Sequence, residues 1–301
     1  MISPSGDQVE IAHDDQRAVI VEVGGGLRSY TVGERDVLDG YGADEICASG
    51  RGQVLMPWPN RLQDGSYDFG GRSHQLPLTE PENRNAIHGL VRWASWRVAE
   101  RGPERAVVEH VIRPQPGYPF TVALTIEYTL SDLGLSVRST ATNLGSTPCP
   151  FGAGAHPYLK LDAPTIDSLS LHVPARSVLQ SDERSLPNGS IAVDGTEFDF
   201  RRPRRVGALA LDNCFSDLER DGDGRVRVGV HDPSGRSAIL WAGEGYDYLM
   251  VFSGDPLPDV ARRSIAVEPM TCPPNAFRSG DSVITLEPGG AFTAEWGIEC
   301  I

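Results

Sequence analysis

Residues 120–130 read FTVALTIEYTL, and residues 133–143 follow as LGLSVRSTATN. In the first stretch Val122, Leu124, Ile126, Tyr128 and Leu130 occupy every second position, with small or polar residues between most of them. A period of two is the mark of a strand with one face buried, because successive side chains leave a strand on opposite sides. SDLG at 131–134 carries turn residues and separates the two runs. The same alternation recurs in RAVIVEVGG (17–25), RAVVEHVIR (105–113), SLSLHVPA (168–175), SAILWAG (237–243), YLMVFSG (248–254), RSIAVEP (263–269) and FTAEWGIEC (292–300). Further turn signals stand at DGDG (221–224) and DPSG (232–235).

Long helical periodicity is nearly absent. The best helical stretch, DVLDGYGADEI at 36–46, is broken by its own glycines. Many short strands with turns between them predict an all-β fold, a large antiparallel β-sandwich with few short helices. No fixed repeat or low-complexity linker divides the chain, so one domain over residues 1–301 is expected.

The composition narrows the function. The chain has 301 residues, 40% of them hydrophobic and 23% charged, the balance of a folded globular protein. A net charge of −14 repels phosphate backbones and argues against nucleic acid as partner. The one basic run, RRPRR at 201–205, reads as a solvated turn. Lys160 is the only lysine and reads as a surface residue, which disfavours Schiff-base chemistry. Five widely spaced cysteines (Cys47, Cys149, Cys214, Cys272 and Cys300) with no CxxC pair suggest reduced thiols and a cytoplasmic protein. No signal peptide and no membrane-spanning run is evident.

Several motif-like stretches lead nowhere. VGGGLRSY at 23–30 lacks the lysine of a phosphate-binding loop and reads as a tight turn or bulge. ERDGDGRV at 219–226 lacks the distal glutamate of a calcium loop and reads as a hairpin turn. No HExxH or paired-cysteine spacing indicates a metal, and no GxSxG indicates a hydrolase nucleophile. No metal and no cofactor is expected.

What remains is a set of polar residues in apolar surroundings. LMPWPNRLQDGSYDFGG (55–71) contains Asn60 and Arg61. NRNAIHGLVRWASW (83–96) contains His88. GAGAHPYLKL (152–161) contains His156, and SIAVEPMTCPPNAF (264–277) contains Glu268 at the end of an apolar strand. Asp212 follows the alternating LAL of 209–211. A carboxylate after IAV is expected to be partly buried, which raises its pKa. Each residue alone also fits a structural hydrogen bond or ion pair, and His13, His74, His110, His172 and His231 have no comparable setting. The small residues before His156 suggest room for the close approach of a ligand, and Pro157 a fixed imidazole direction. Converging at one end of a sandwich with aromatics nearby, the set would suit a polyhydroxylated ligand.

At these residues the sequence resembles the aldose 1-epimerase (galactose mutarotase) family. PNRLQDGSYDFGG, NAIHGLVRWASW, GAHPYLKL, LDNCF and VEPMTCPPNAF correspond in order to five of its conserved stretches. The resemblance implies a large antiparallel β-sandwich and cofactor-free interconversion of sugar anomers. It implies Glu268 as catalytic base, His156 as catalytic acid and His88 as its assistant at the ring oxygen. Arg61, Asp212 and Asn60 would bind sugar hydroxyls. Departures such as HGL for HGG and EPM for EPQ leave the sugar open.

HGLVRWASW is also similar to a stretch of the related hexose-6-phosphate epimerases, and Arg51, Arg72, Arg84 or Arg92 could serve a phosphate. A non-catalytic carbohydrate-binding protein on the same fold is the third possibility. Near neutral pH, reference values make the glutamate charged, while the histidine needs a raised pKa to act as acid. The partner expected is a small sugar, and the protein a monomer or homodimer.

Overall fold

The computed structural model describes residues 3–258 and 260–300, with the backbone alone for residue 300. The two ends of the expected 1–301 span and the Cys300 thiol lie outside the described residues. Cys47, Cys149, Cys214 and Cys272 are free thiols.

Two long antiparallel sheets dominate. The alternating run at the centre of the sequence becomes Val122–Ser131, paired along its whole length with Gly134–Asn143 from Val122↔Asn143 to Ser131↔Gly134. These strands lie inside a nine-stranded sheet that continues on one side through Arg105–Ile112 to Arg97–Arg101. On the other it runs through Ala291–Cys300, Ser237–Ala242, Val226–His231 and Ser170–His172 to Arg204–Arg205. The second sheet has eight strands: it runs Pro187–Ala192, Ala175–Ser181, Asp212–Leu218, Tyr248–Phe252, Ile265–Met270, Gly154–Ala155, Val54–Leu55, and Tyr158–Leu159 also pairs with Ile265–Met270. A four-stranded sheet is built from residues 8–36. The only α-helix among the described residues is Ala276–Ser279, one turn long. No described helix is long and apolar enough to cross a membrane.

Period-two alternation decides what each face does. In the eight-stranded sheet Phe215, Leu249, Val251, Ile265 and Val267 enter one large core that also holds Val137, Leu240 and Ile298 of the nine-stranded sheet. Their neighbours in sequence point the other way. Cys214, Met250 and Met270 form a small separate apolar cluster on that second face. Glu268 and Asp212 share the parity of that cluster, so the fold presents them away from the main core.

Three expectations change. DGDG turns tightly, with Gly224 N–H donating to the Asp221 carbonyl, but it joins Asp212–Leu218 to Val226–His231, which lie in different sheets. It is a crossing between layers, not a hairpin. Within RRPRR, Arg204–Arg205 is a short edge strand, and Arg201 pairs with Asp194 and Asp199. The small residues before His156 serve packing and not ligand approach: a Cβ on Gly154 would stand 2.9 Å from the Pro59 ring, and one on Gly152 2.6 Å from Cys272 Sγ.

Candidate functional site

The six residues singled out from sequence (Asn60, Arg61, His88, His156, Asp212 and Glu268) line one cavity of about 300 Å³. That is the lower end of the range for small-ligand pockets. Ser49, Gly50, Arg92, Trp93, Tyr158, Phe252 and Pro256 also contribute to its wall. A separate, larger open groove of about 720 Å³ is lined by Tyr248 and Asn275 among others, but by no histidine.

Strand register sets the centre. Gly154 pairs with Met270 and Tyr158 with Ala266, so His156 falls opposite Glu268. His156 Nε2 lies 3.3 Å from Glu268 Oε1, and the two side chains are 7% and 3% exposed. Glu268 Oε2 is buried without a hydrogen-bond partner among the described residues. Met250 pairs with Glu268, and Asp212 with Phe252, which pairs in turn with Ala266. Asp212 therefore sits two strands away, one row along the same face.

The His156 ring is held as one layer of a stack. Tyr158 lies against it at 4.9 Å with an interplanar angle of 9°, and the Arg51 guanidinium lies 4.8 Å from the Tyr158 ring centre. Arg51 is paired in turn with the buried Asp39, which also receives Arg263 and the Ser264 hydroxyl. Gly50 permits this placement: its φ is +75°, and a Cβ there would stand 2.8 Å from His156 Cδ2.

His88 enters from a loop folded over that face. Arg61–Gln63 pairs with Asn85–Ile87, which brings Asn60 and His88 side by side. Both take left-handed φ values, 55° and 62°, a costly conformation for residues with a Cβ. The His88 N–H donates to the Asn60 carbonyl at 2.9 Å, and the Asn60 N–H donates to His88 Nδ1 at 3.2 Å. Because Nδ1 accepts, neutral His88 carries its proton on Nε2. The Asn60 side-chain carbonyl accepts from the Arg61 N–H at 2.8 Å.

Arg61 is anchored by a residue that sequence reasoning missed. Its Nε donates to both Glu80 oxygens, at 3.0 and 3.1 Å, while a terminal nitrogen lies 3.8 Å from Asp212. Asn275, also missed, ties the chain after Glu268 to this strand: its N–H donates to the Arg61 carbonyl, and its side chain accepts from the Gln63 N–H. Neither residue has a local sequence signal, because each acts through a contact distant along the chain. Trp58, just before Asn60 and Arg61, packs against Phe277 with ring centres 5.7 Å apart. Of the four arginines considered for a phosphate, only Arg92 lines the cavity; Arg84 pairs with Asp64 and Arg51 with Asp39, and Arg72 lies exposed in a surface hairpin.

The charge state departs from the expectation. Burial pushes Glu268 well above the usual carboxylate range, Asp212 adds to this, and Arg61 opposes it. Burial lowers His156 to about 3, with Arg92 and Arg51 acting in the same direction. His88 is lowered by burial and by His156, Arg92 and Arg61. Asp212, at the mouth, is raised by desolvation against the pull of Arg61. Burial thus works against both charged forms and favours the proton on Glu268, with a neutral imidazole, over the ion pair. Reference values had placed the charge on the glutamate; burial pulls the other way.

One ligand atom each from His88, His156 and Glu268 lies within 4.8 Å of the other two, a spacing that a metal ion could bridge. The fit is poor at His88. Its Nδ1 is engaged by the Asn60 N–H and its Nε2 is protonated, so ligation would require breaking that bond or losing that proton.

Known proteins agree with the fold. A sequence model described as aldose 1-epimerase matches residues 7–299. The Escherichia coli K12 protein YihR, described as uncharacterized, is 33% identical over 286 residues, covering 95% of this chain and 90% of its own. Among solved structures, the GalM/aldose epimerase homologue of C. elegans superposes with a TM-score of 0.87 at 19% identity, covering 98% of both chains. Galactose 1-epimerase of Lactobacillus acidophilus gives 0.80 at 21% identity, covering 97% of this chain and 94% of that one.

Proposed function

The chain belongs to the aldose 1-epimerase family, and from this premise we propose that it interconverts the α and β anomers of an aldose by acid–base-catalysed ring opening and reclosure, as one domain. The observation that carries the proposal is the buried His156–Glu268 pair, 3.3 Å apart on the wall of a sugar-sized cavity.

Ring opening requires the C1 hydroxyl to lose a proton while the ring oxygen gains one. Performed together, the two transfers avoid a free oxyanion or oxocarbenium ion. A pair holding one proton can supply both. When the proton sits on His156, Glu268 is a carboxylate whose raised pKa makes it a stronger base than an exposed glutamate. Glu268 takes the O1 proton, the C1–O5 bond breaks, and His156 delivers its proton to O5. After rotation about C1–C2, O5 attacks the other face of the aldehyde, His156 recovers the O5 proton and Glu268 returns one to O1. Protons balance over the cycle.

The Nε2–H of His88, fixed by Asn60, offers a donor to the ring-oxygen side. Arg61 and Asp212 at the mouth suit vicinal hydroxyls, one group donating and the other accepting. Asn60, on the same cavity wall, contributes mainly by holding His88, and its side-chain amide is a further candidate donor for a hydroxyl.

The test is anomer exchange followed by NMR for glucose, galactose and xylose, in a buffer whose own catalysis is subtracted. Acceleration over the protein-free control is the expected result. Sugar binding without exchange would replace this reading with that of a carbohydrate-binding protein.

A further inference from the structure

We propose that Asp39 is a positioning residue for the proton transfer: one buried carboxylate fixes His156, through Arg51 and Tyr158, and also the start of the strand that carries Glu268, through Arg263 and Ser264. This deepens the anomer-exchange reading and rests on it.

The imidazole needs an external support. Nδ1 of His156 is buried and bonded to no other residue among those described, so no hydrogen bond there sets the ring direction. Packing sets it instead, and the stack of His156, Tyr158 and Arg51 ends on Asp39. Arg51 Nε and a terminal nitrogen each lie 3.4 Å from Asp39 Oδ2. That contact holds the guanidinium 4.8 Å from the Tyr158 ring centre, and Tyr158 lies parallel to the His156 ring. The backbone follows the same path. The Asp39 N–H donates to the Tyr158 carbonyl at 2.9 Å, and the N–H of Gly52, next to Arg51, donates to the His156 carbonyl at 2.9 Å. The Tyr158 hydroxyl donates to the Ser49 carbonyl at 2.9 Å.

The other half of the pair is reached from the same carboxylate. The Ser264 hydroxyl donates to Asp39 Oδ2 at 2.7 Å, and Arg263 lies 2.7 Å from Oδ1. Ser264 immediately precedes Ile265–Met270, the strand of Glu268. Asp39 itself does not line the cavity, and its side chain is 3% exposed.

Stability alone is a poor reason for such a network. Desolvating buried charges costs about as much as their attraction returns, and apolar residues of the same volume often serve as well. Asp39 nevertheless keeps its charge: burial opposes ionisation, but Arg263, Ser264 and Arg51 outweigh it and hold the carboxyl below its usual range. What the charged groups add is direction, because a carboxylate and a guanidinium bond along fixed lines and the guanidinium presents a flat face to Tyr158. Proton transfer uses that definition, since about an ångström of misplacement costs on the order of 10²-fold in rate.

The experiment measures kcat, KM and melting temperature for Asp39→Asn, Arg51→Lys and Ser264→Ala. Ring-carbon NMR signals of histidine-labelled protein are recorded alongside, with His156 assigned through His156→Asn. Asp39→Asn is expected to lower kcat by about 10- to 100-fold with KM within about threefold. Arg51→Lys keeps the charge but loses the plane, and Ser264→Ala removes the donor on the glutamate side; each should lower kcat by about 3- to 10-fold at constant KM. The His156 signals should shift or broaden in Asp39→Asn and Arg51→Lys, and those of His13 should stay. Wild-type kcat in folded Asp39→Asn overturns the inference even if the protein melts lower, because a purely structural carboxylate gives that result. If Asp39→Asn does not fold, the other two variants decide, and an unchanged kcat in either overturns the two-sided role. If the wild type exchanges no sugar, the mutarotase reading fails on its own. His156 signals that move in Asp39→Asn then leave the positioning role standing, and unmoved signals overturn it as well.

Discussion

Nε2 of His156 lies 3.3 Å from Oε1 of Glu268, and neither side chain exposes more than 7% of its surface. The contact joins residues 112 positions apart through a strand register that leaves no slack: Gly154↔Met270 on one side, Tyr158↔Ala266 on the other. A base and an acid so placed exchange a proton without moving backbone. Removing either should disable the transfer and spare the fold. Glu268→Gln and His156→Asn are each expected to lose about 10²–10⁴-fold in kcat, the usual worth of a proton-transfer group. Steady-state anomer exchange, with circular dichroism as control, checks this. A folded variant within about threefold of wild type would remove that residue from the chemistry, far below the usual worth of such a group.

The same pair fixes the pH profile. Activity requires one proton on the pair. His156 takes a second proton only as pH falls toward its lowered value of about 3. The pair loses its only proton as pH rises through the raised value of Glu268. The kcat/KM profile should therefore be flat through mild acid, with its decline on the alkaline side. An acid limb centred near 6.5, the ordinary histidine value, would contradict the assignment. The measurement needs a folding control, since His88 and His156 have folded pKa values below 6.5 and their contribution to stability, complete above that pH, is lost as pH falls.

Glu268 should cost stability that the reaction requires. A carboxyl whose folded pKa is raised contributes stability in full below its unfolded value near 4.5, and loses it as pH rises through the folded value. Glu268→Gln has no such loss. The inactive variant should melt higher than wild type, with a difference that grows between about pH 5 and pH 8 and reaches on the order of 1–3 kcal/mol. Melting curves over that range check it. A difference that shrinks with pH would show that the carboxylate is stabilised in place.

How much of this was legible depends on where each interaction lives. The alternation of 120–143 gives strands directly, since period two is a property of one strand and its two faces. Glu268 was readable because an acid after IAV must share a strand with buried neighbours. The backbone bonds that set the His88 tautomer were not, because they require two left-handed residues, Asn60 and His88, from segments paired only in three dimensions. Nor was the direction of the charge shift at His156, which depends on burial among Tyr158, Gly50 and Arg51. The GAGA run was misread for a related reason: smallness is visible in sequence, but the Pro59 ring that requires it is not.

Gly50 should tolerate no side chain. Alanine would hold φ +75° at a cost, and its Cβ would meet His156 Cδ2 at 2.8 Å. Tyr158, stacked on the ring at 4.9 Å, limits its retreat. Gly50→Ala is expected to lower kcat by about 10²-fold, the cost of an ångström of misplacement, and to destabilise by about 1–2 kcal/mol. Kinetics together with denaturant unfolding separate the two effects. Near wild-type kcat would mean that the imidazole plane need not be held.

Glu80 offers a test that separates positioning from chemistry. It receives Arg61 Nε through both carboxylate oxygens and also accepts from the Asn85 side-chain amide at 2.9 Å. With side-chain exposures of 14% and 12%, Arg61 and Glu80 form a largely buried pair. Removing the acid leaves the guanidinium with Asp212 alone, 3.8 Å away. Drawn toward Asp212, Arg61 would bridge to that residue at the mouth instead of binding a hydroxyl. Glu80→Gln should raise KM by about 10-fold with kcat within about threefold, the signature of lost uniform binding. It should also lower stability by up to about 3–5 kcal/mol, the usual cost of breaking a buried pair. The split between KM and kcat is the deciding readout, because a purely structural glutamate would lower the melting temperature and leave both constants of the folded fraction unchanged.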